Sequence, residues 1–122
     1  MGTMNTKQNK QIRDFFRQYV NPRFKTDLNI VKLSKANTLQ HNIKLACVCC
    51  VLLKNNVPFY TEVRLKNGLR PDIVCPTLSS PILEVLHTET EEDFKINKSE
   101  IYAKDNLGVQ LFKTGEKTKI SV

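Results

Sequence analysis

No apolar run in this 122-residue chain approaches the ~18 residues that a bilayer-spanning helix requires. Nor does any segment combine a basic stretch, an apolar core and a small-residue cleavage site, the pattern of a secretory signal. The sequence therefore reads as that of a soluble, intracellular protein. Histidine is scarce, with only His41 and His87, and three of the four cysteines (Cys47, Cys49 and Cys50) crowd into one apolar run far from Cys75. That distribution argues against a structural zinc site, and the cysteines read instead as small buried hydrophobes in a reducing compartment. Internal repeats and low-complexity tracts are also lacking. Acidic residues are few, 12 against 19 Lys and Arg, for a net charge of +7.

A hydrophobic content of 40% over this length suits one compact domain. Met1-Gly2-Thr3 reads as an appended leader before a native start at Met4. Ile12, Phe15, Phe16 and Tyr19 recur at helical spacing between Lys10, Arg13 and Arg17, which predicts an amphipathic helix over Gln8 to Tyr19, closed by Pro22. Residues 21–36 lack clear punctuation and read as an irregular connector. Asn37 or Thr38 can cap a second helix reaching about Lys54. Its apolar residues lie on nearly all sides, so it is expected to be covered both by the sheet and by another element. Three strands are expected next: Val57 to Leu65, then Arg70 to Cys75 after an Asn67-Gly68 turn, then Pro81 to His87. Thr90 to Lys104 reads as a helix with acids near its positive end, and Leu107 to Phe112 as a last strand. The expected class is α/β, with a basic helix and connector over residues 1–36 and an α-β-β-β-α-β core over residues 37–122.

The charge is polarised along the chain. Residues 1–54 hold ten Lys and Arg against two acids, while residues 55–122 hold nine against ten. A basic first half can neutralise a phosphate backbone and release its counterions, although lysines also serve solubility alone. Arg13, Arg17, Arg23, Lys25, Lys32, Lys35 and Lys44, with Arg70 and Lys95 further on, are the candidate nucleic-acid contacts.

Two acids stand inside apolar strands, Asp72 before Ile73-Val74 and Glu84 between Ile82-Leu83 and Val85-Leu86. Burying a carboxylate costs several kcal/mol unless it is paired or coordinates a cation. Alternation puts each on one face of its strand, so adjacent strands can bring the two together around a hard cation such as Mg²⁺ or Mn²⁺. The competing reading pairs them with Arg64 or Arg70.

Arg70-Pro71-Asp72-Ile73-Val74 followed by Ile82-Leu83-Glu84-Val85-Leu86 is similar to the PD…ExK signature of the PD-(D/E)xK nucleases, and the element order over residues 37–113 resembles their restriction endonuclease-like core. That superfamily includes junction resolvases, restriction enzymes and the cap-snatching endonucleases of segmented negative-strand RNA viruses. The resemblance implies a metal-dependent phosphodiesterase acting on DNA or RNA, with Asp72 and Glu84 as ligands of Mg²⁺ or Mn²⁺. Glu62 and His41 match the extra acidic or histidine ligand of some members. The motif lysine is replaced by Leu86; in some members it has moved to the following helix, where Lys98 would take the catalytic place, with Lys95 one turn earlier. A homodimer would suit a two-fold symmetric substrate. Two other classes remain open from the sequence: a nuclease-like module that binds nucleic acid without turnover, and a regulatory protein whose basic half meets an acidic partner.

Overall fold

The computed structural model describes residues 5–23, 26–87 and 91–121. It is a mixed α/β protein with a small three-stranded sheet, and among the described residues no helix is long and apolar enough to cross a membrane.

Helix α1 spans Thr6–Tyr19, starting two residues before the expected Gln8. Asn5 accounts for the difference. Its side chain accepts the Gln8 amide while the Gln8 side chain accepts the Asn5 amide, so two otherwise orphaned donors are satisfied reciprocally. Phe15 is buried, its ring 5.0 Å from that of Tyr19, and Phe16 meets Tyr60 edge-on at 4.8 Å. The chain leaving α1 is stitched to a later segment, Asn21 N–H donating to the Arg64 carbonyl and Lys66 N–H to that of Tyr19.

Helix α2 spans Leu39–Lys54 and is capped by Thr38, whose hydroxyl accepts the His41 amide. Leu45, Val48, Cys49 and Leu52 pack with Phe59, Ile73, Leu83 and Val85 in one core cluster. Two expectations about this helix fail. Among the described residues nothing covers its opposite face, where Leu39 and Ile43 are exposed, and only Cys49 and Cys75 are buried while Cys47 and Cys50 face solvent. Helical geometry explains both, since one sheet can cover only one stripe of a helix.

The expected strand Val57 to Leu65 does not form as a strand. Val57, Phe59, Tyr60, Val63 and Leu65 are all buried, so the apolar pattern was a signal of burial. The backbone, however, turns through left-handed geometry at Asn56 (φ 55°) and Glu62 (φ 60°), which no β ladder accommodates. Pairing with the next segment is reduced to one bridge, Tyr60 with Val74. Other partners take over the remaining backbone groups: Asn29 bonds Phe59 through both its amide and its side chain, and Thr61 donates to the Ile30 carbonyl.

Strand β1 is only Ile73–Val74, shorter than the expected Arg70 to Cys75. It pairs antiparallel with β2, Ile82–Leu86, which is buried at every position. β2 in turn pairs parallel with β3, Val109–Lys113, giving the order β1-β2-β3. At the entry to β3, Gly108 lies so close to Ser80 that a Cβ there would stand 2.6 Å from the Ser80 hydroxyl. The β2-to-β3 crossover carries α3 (Glu91–Phe94), a π-helical turn (Lys95–Ser99) and α4 (Glu100–Lys104). Thr90, the expected start, lies outside the described residues. Phe94 and Tyr102 drop from this crossover onto the second core cluster, beside Ile82, Leu86, Phe15 and Val20.

Candidate functional site

The antiparallel register matches Ile73 with Leu83, so Asp72 falls opposite Glu84 one step beyond the last ladder pair. Side chains replace the ladder there. Asp72 N–H donates to Glu84 Oε1 at 2.9 Å, and Val85 N–H donates to Asp72 Oδ2 at 2.7 Å. Each carboxylate is thus anchored by an amide of the other's segment, and these two bonds hold the pair together. Arg70, one of the arginines considered as an alternative partner, pairs with Glu62 at 3.5 Å.

Two further groups reach the pair from separate elements. From the first turn of α2, His41 Nε2 stands 3.6 Å from Asp72 Oδ2, an ion-pair distance. From the π-helical turn, Lys98 Nζ stands 3.5 Å from Glu84 Oε2 and 5.9 Å from the centre of the Phe94 ring. A π-helical turn adds a residue to the helix's circumference, which re-aims side chains, and such turns recur at functional sites. Asp72, Glu84, His41 and Lys98 line one cavity of about 260 Å³, together with Asn37, Thr38, Arg70 and His87.

Burial sets the electrostatics. The Glu84 side chain is only 5% exposed. Desolvation, followed by the neighbouring Asp72 charge, pushes its carboxyl up to about 7, against partial relief from the Asp72 amide and Lys98. His41 is raised too, mainly by the Asp72 carboxylate, with burial opposing and the Glu84 charge adding. Its Nδ1 is buried and has no hydrogen-bond partner among the described residues, so Nε2 is the atom presented to the cavity.

Asp72, Glu84, His41 and Lys98 are therefore brought together, while the other expected site residues are distributed differently. Glu62 lines a neighbouring cavity of about 230 Å³ with Lys32, Arg70 and Asp72. It pairs with Arg70 at 3.5 Å and does not line the cavity shared by Asp72, Glu84, His41 and Lys98. Lys95 is exposed and borders an apolar cavity with Tyr102 and Leu107, so of the two lysines only Lys98 faces the acids. Lys44 is also corrected. It is buried at 6% exposure, and its ammonium donates to the Glu116 carbonyl and the Thr118 hydroxyl, so it fastens the C-terminal tail and is not open to a phosphate. Arg13, Arg17, Arg23, Lys32 and Lys35 are exposed, and Lys25 lies outside the described residues.

Sequence reasoning missed His87, Asn37 and Thr38. Strict strand alternation would point His87 away from Glu84, yet it follows the last residue of β2, where alternation no longer dictates direction. It lines the cavity and bonds Thr114 Oγ1 through Nδ1 at 2.9 Å. Asn37 and Thr38 enter because the capped end of α2 opens onto the cavity, a signal readable only as a cap.

Among the described residues, no three His, Cys, Asp or Glu side chains are gathered in metal-binding geometry. The donor chemistry nonetheless suits a hard dication, because two carboxylates share one cavity beside an imidazole and their mutual repulsion is only partly relieved by the Asp72 amide and Lys98. The chain matches no family model, no curated protein and no solved structure.

Proposed function

We propose that this protein is a divalent-metal-dependent nuclease that hydrolyses phosphodiester bonds in DNA or RNA, with a core similar to that of the PD-(D/E)xK enzymes. The observation that carries the reading is the convergence of the Asp72 and Glu84 carboxylates, each anchored by a backbone amide, in a cavity shared with His41 and Lys98. In this reading Asp72 and Glu84 would hold Mg²⁺ or Mn²⁺, with His41 Nε2, 3.6 Å from Asp72, as the nearest further donor. When bound, the ion supplies charge neutralisation at the phosphate and a more acidic water.

The chain's own residues do the rest. Lys98 replaces the signature lysine that Leu86 cannot supply. Flanked by Glu84 and the Phe94 ring, its ammonium is oriented toward the cavity, where it can position a water and offset charge developing on a phosphoryl oxygen. Arg70 and Lys32, on the adjoining cavity, and His87, at the rim, are placed to hold the flanking backbone. Such contacts give affinity and register without base preference, so neither DNA nor RNA is favoured by them.

The experiment is turnover of labelled single-stranded, duplex and branched substrates in Mn²⁺ by the wild type, Asp72→Asn and Lys98→Ala. Cleavage by the wild type that is lost by at least about a hundredfold in both variants supports the reading. Equal cleavage by wild type and Asp72→Asn identifies a contaminant. No cleavage of any substrate, with Mn²⁺ failing to bind by calorimetry, rejects the reading.

A further inference from the structure

The cavity of about 230 Å³ beside the acidic pair adjoins the four-residue site, since Ala36, Asn37, Arg70 and Asp72 line both. It has room for roughly eight water molecules, the scale of a single heterocyclic base. Leu45 and Pro71 supply apolar surface, whereas Lys32, Asn37, Glu62 and Arg70 supply polar groups. A pocket for phosphate alone would gain nothing from Glu62, whose charge repels it. The ligand that suits this wall carries hydrogen-bond donors as well as acceptors.

Glu62 stands where a turn alone would favour glycine. Its backbone is left-handed, with φ 60°, and its side chain nevertheless lines the cavity. Arg70 Nη1 lies 3.5 Å from Glu62 Oε2, close enough for an ion pair and too long for a strong hydrogen bond. The two side chains are 54% and 39% exposed, so both keep bonding capacity for a ligand. Side by side they present one donor next to two carboxylate acceptors. Among the bases, guanine alone carries the complementary array on its Watson–Crick edge, O6 as acceptor followed by N1–H and the N2 amino group as donors. Adenine and cytosine place a ring-nitrogen acceptor beside their amino group, and thymine and uracil flank one N–H with two carbonyls. Each of these sets an acceptor against a carboxylate oxygen.

We infer that this cavity is a guanine-binding subsite, taking an unpaired guanine from the strand whose adjoining phosphate lies at Asp72 and Glu84. Glu62 accepts from N1–H and the N2 amino group, and Arg70 donates to O6 while its remaining N–H groups stay available to the backbone. Lys32 neutralises a phosphate at the same cavity. The Watson–Crick edge is free only in a base without a partner, so the substrate is single-stranded, or a strand from which this base has been turned out. The nearness of a scissile phosphate rests on the nuclease reading; the choice of base rests on Glu62 and Arg70.

Fluorescence anisotropy in a chelator reads the base preference without turnover, using oligothymidylate and oligouridylate strands with a single central guanine, adenine, cytosine or hypoxanthine. The guanine strands are expected to bind at least about tenfold more tightly than the others, within the range that one two-bond base contact contributes. Hypoxanthine keeps O6 and N1–H but lacks the amino group, so this comparison needs no variant. In Glu62→Gln the carboxamide offers one donor and one acceptor, and the ratio of guanine to adenine affinity should fall to within about twofold of one, with circular dichroism unchanged. Mapping the ends released in Mn²⁺ should place cleavage at a phosphate next to the guanine. Equal affinity for all four bases overturns the inference, whether or not Mn²⁺ supports cleavage. So does a guanine preference that survives Glu62→Gln, free GMP binding as tightly as the strands, or cleavage indifferent to the position of the guanine. Guanine-selective binding without cleavage supports the subsite and counts against the nuclease reading alone.

Discussion

Replacing Glu84 with glutamine tests the electrostatics of the cavity without requiring any substrate. Glu84 is buried, and its carboxyl is raised from 4.5 to about 7 by desolvation and by Asp72. Between those two values the folded state holds a proton that the unfolded chain releases. The stability gained from protonation is thus fully present below about pH 4.5 and is lost as the pH rises through about 7. The full shift corresponds to about 3 kcal/mol, the amount by which the ionised Glu84 opposes folding at about pH 8. A glutamine side chain would keep the carbonyl oxygen that accepts the Asp72 amide and remove the charge, losing only the attraction to the partly exposed Lys98. Because the raised value already contains that attraction, Glu84→Gln is expected to stabilise the metal-free protein by about 3 kcal/mol at about pH 8, or roughly 12 °C in Tm for a chain of this length. At about pH 4 the difference should vanish. Thermal melts of both proteins across that pH range, in a chelator, measure this directly. Adding Mn²⁺ at the alkaline end should then raise the wild-type Tm and leave the variant's nearly unchanged, because a dication stabilises only the ionised pair. A Glu84→Gln protein less stable than wild type at that end, with a deficit that does not shrink on acidification, would refute the reasoning, since it would mean that the ionised carboxylate is favourably solvated where it sits.

Other perturbations separate structural from functional roles. Glu62→Gly should fold at least as stably as wild type, because glycine removes a left-handed backbone cost of about 1 kcal/mol, whereas Glu62→Val should lose at least that much in urea melts; both should bind Mn²⁺ like wild type. Lys44→Ala should cost about 2 kcal/mol by orphaning its two acceptors and should expose the C-terminal tail to protease, while the salt dependence of nucleic-acid binding stays unchanged. Gly108→Ala should destabilise by about 1–3 kcal/mol, because its methyl group meets Ser80 backbone and side chain alike, and Ser80→Gly in the same chain should recover part of the loss. Arg70→Ala should weaken nucleic-acid binding and flatten its salt dependence by about one phosphate contact, with Mn²⁺ affinity intact.

Local order in this chain announced both the site's acids and the main helices. Asp72 and Glu84 stand out because a carboxylate inside an apolar run is costly, and strand alternation alone put them on matching faces, where the register indeed sets them opposite. Helix α2 was bounded by Thr38 and Asn55, short-range capping signals that need no tertiary contact. What sequence could not decide was everything set by partners distant along the chain. Residues 57–65 have the composition of a strand, but the connector around Asn29 and the end of α1 claim their hydrogen-bonding groups, and Glu62 bends the backbone out of extension. Lys44 and Lys98 look alike in the sequence; the tail folds over one, and a π-helical turn aims the other at Glu84. Periodicity marks which residues can share a face, and capping marks where an element begins. Which face stays bare, and which cation meets which acid, follows only once distant segments have packed, because those outcomes depend on surfaces that no local stretch of chain contains.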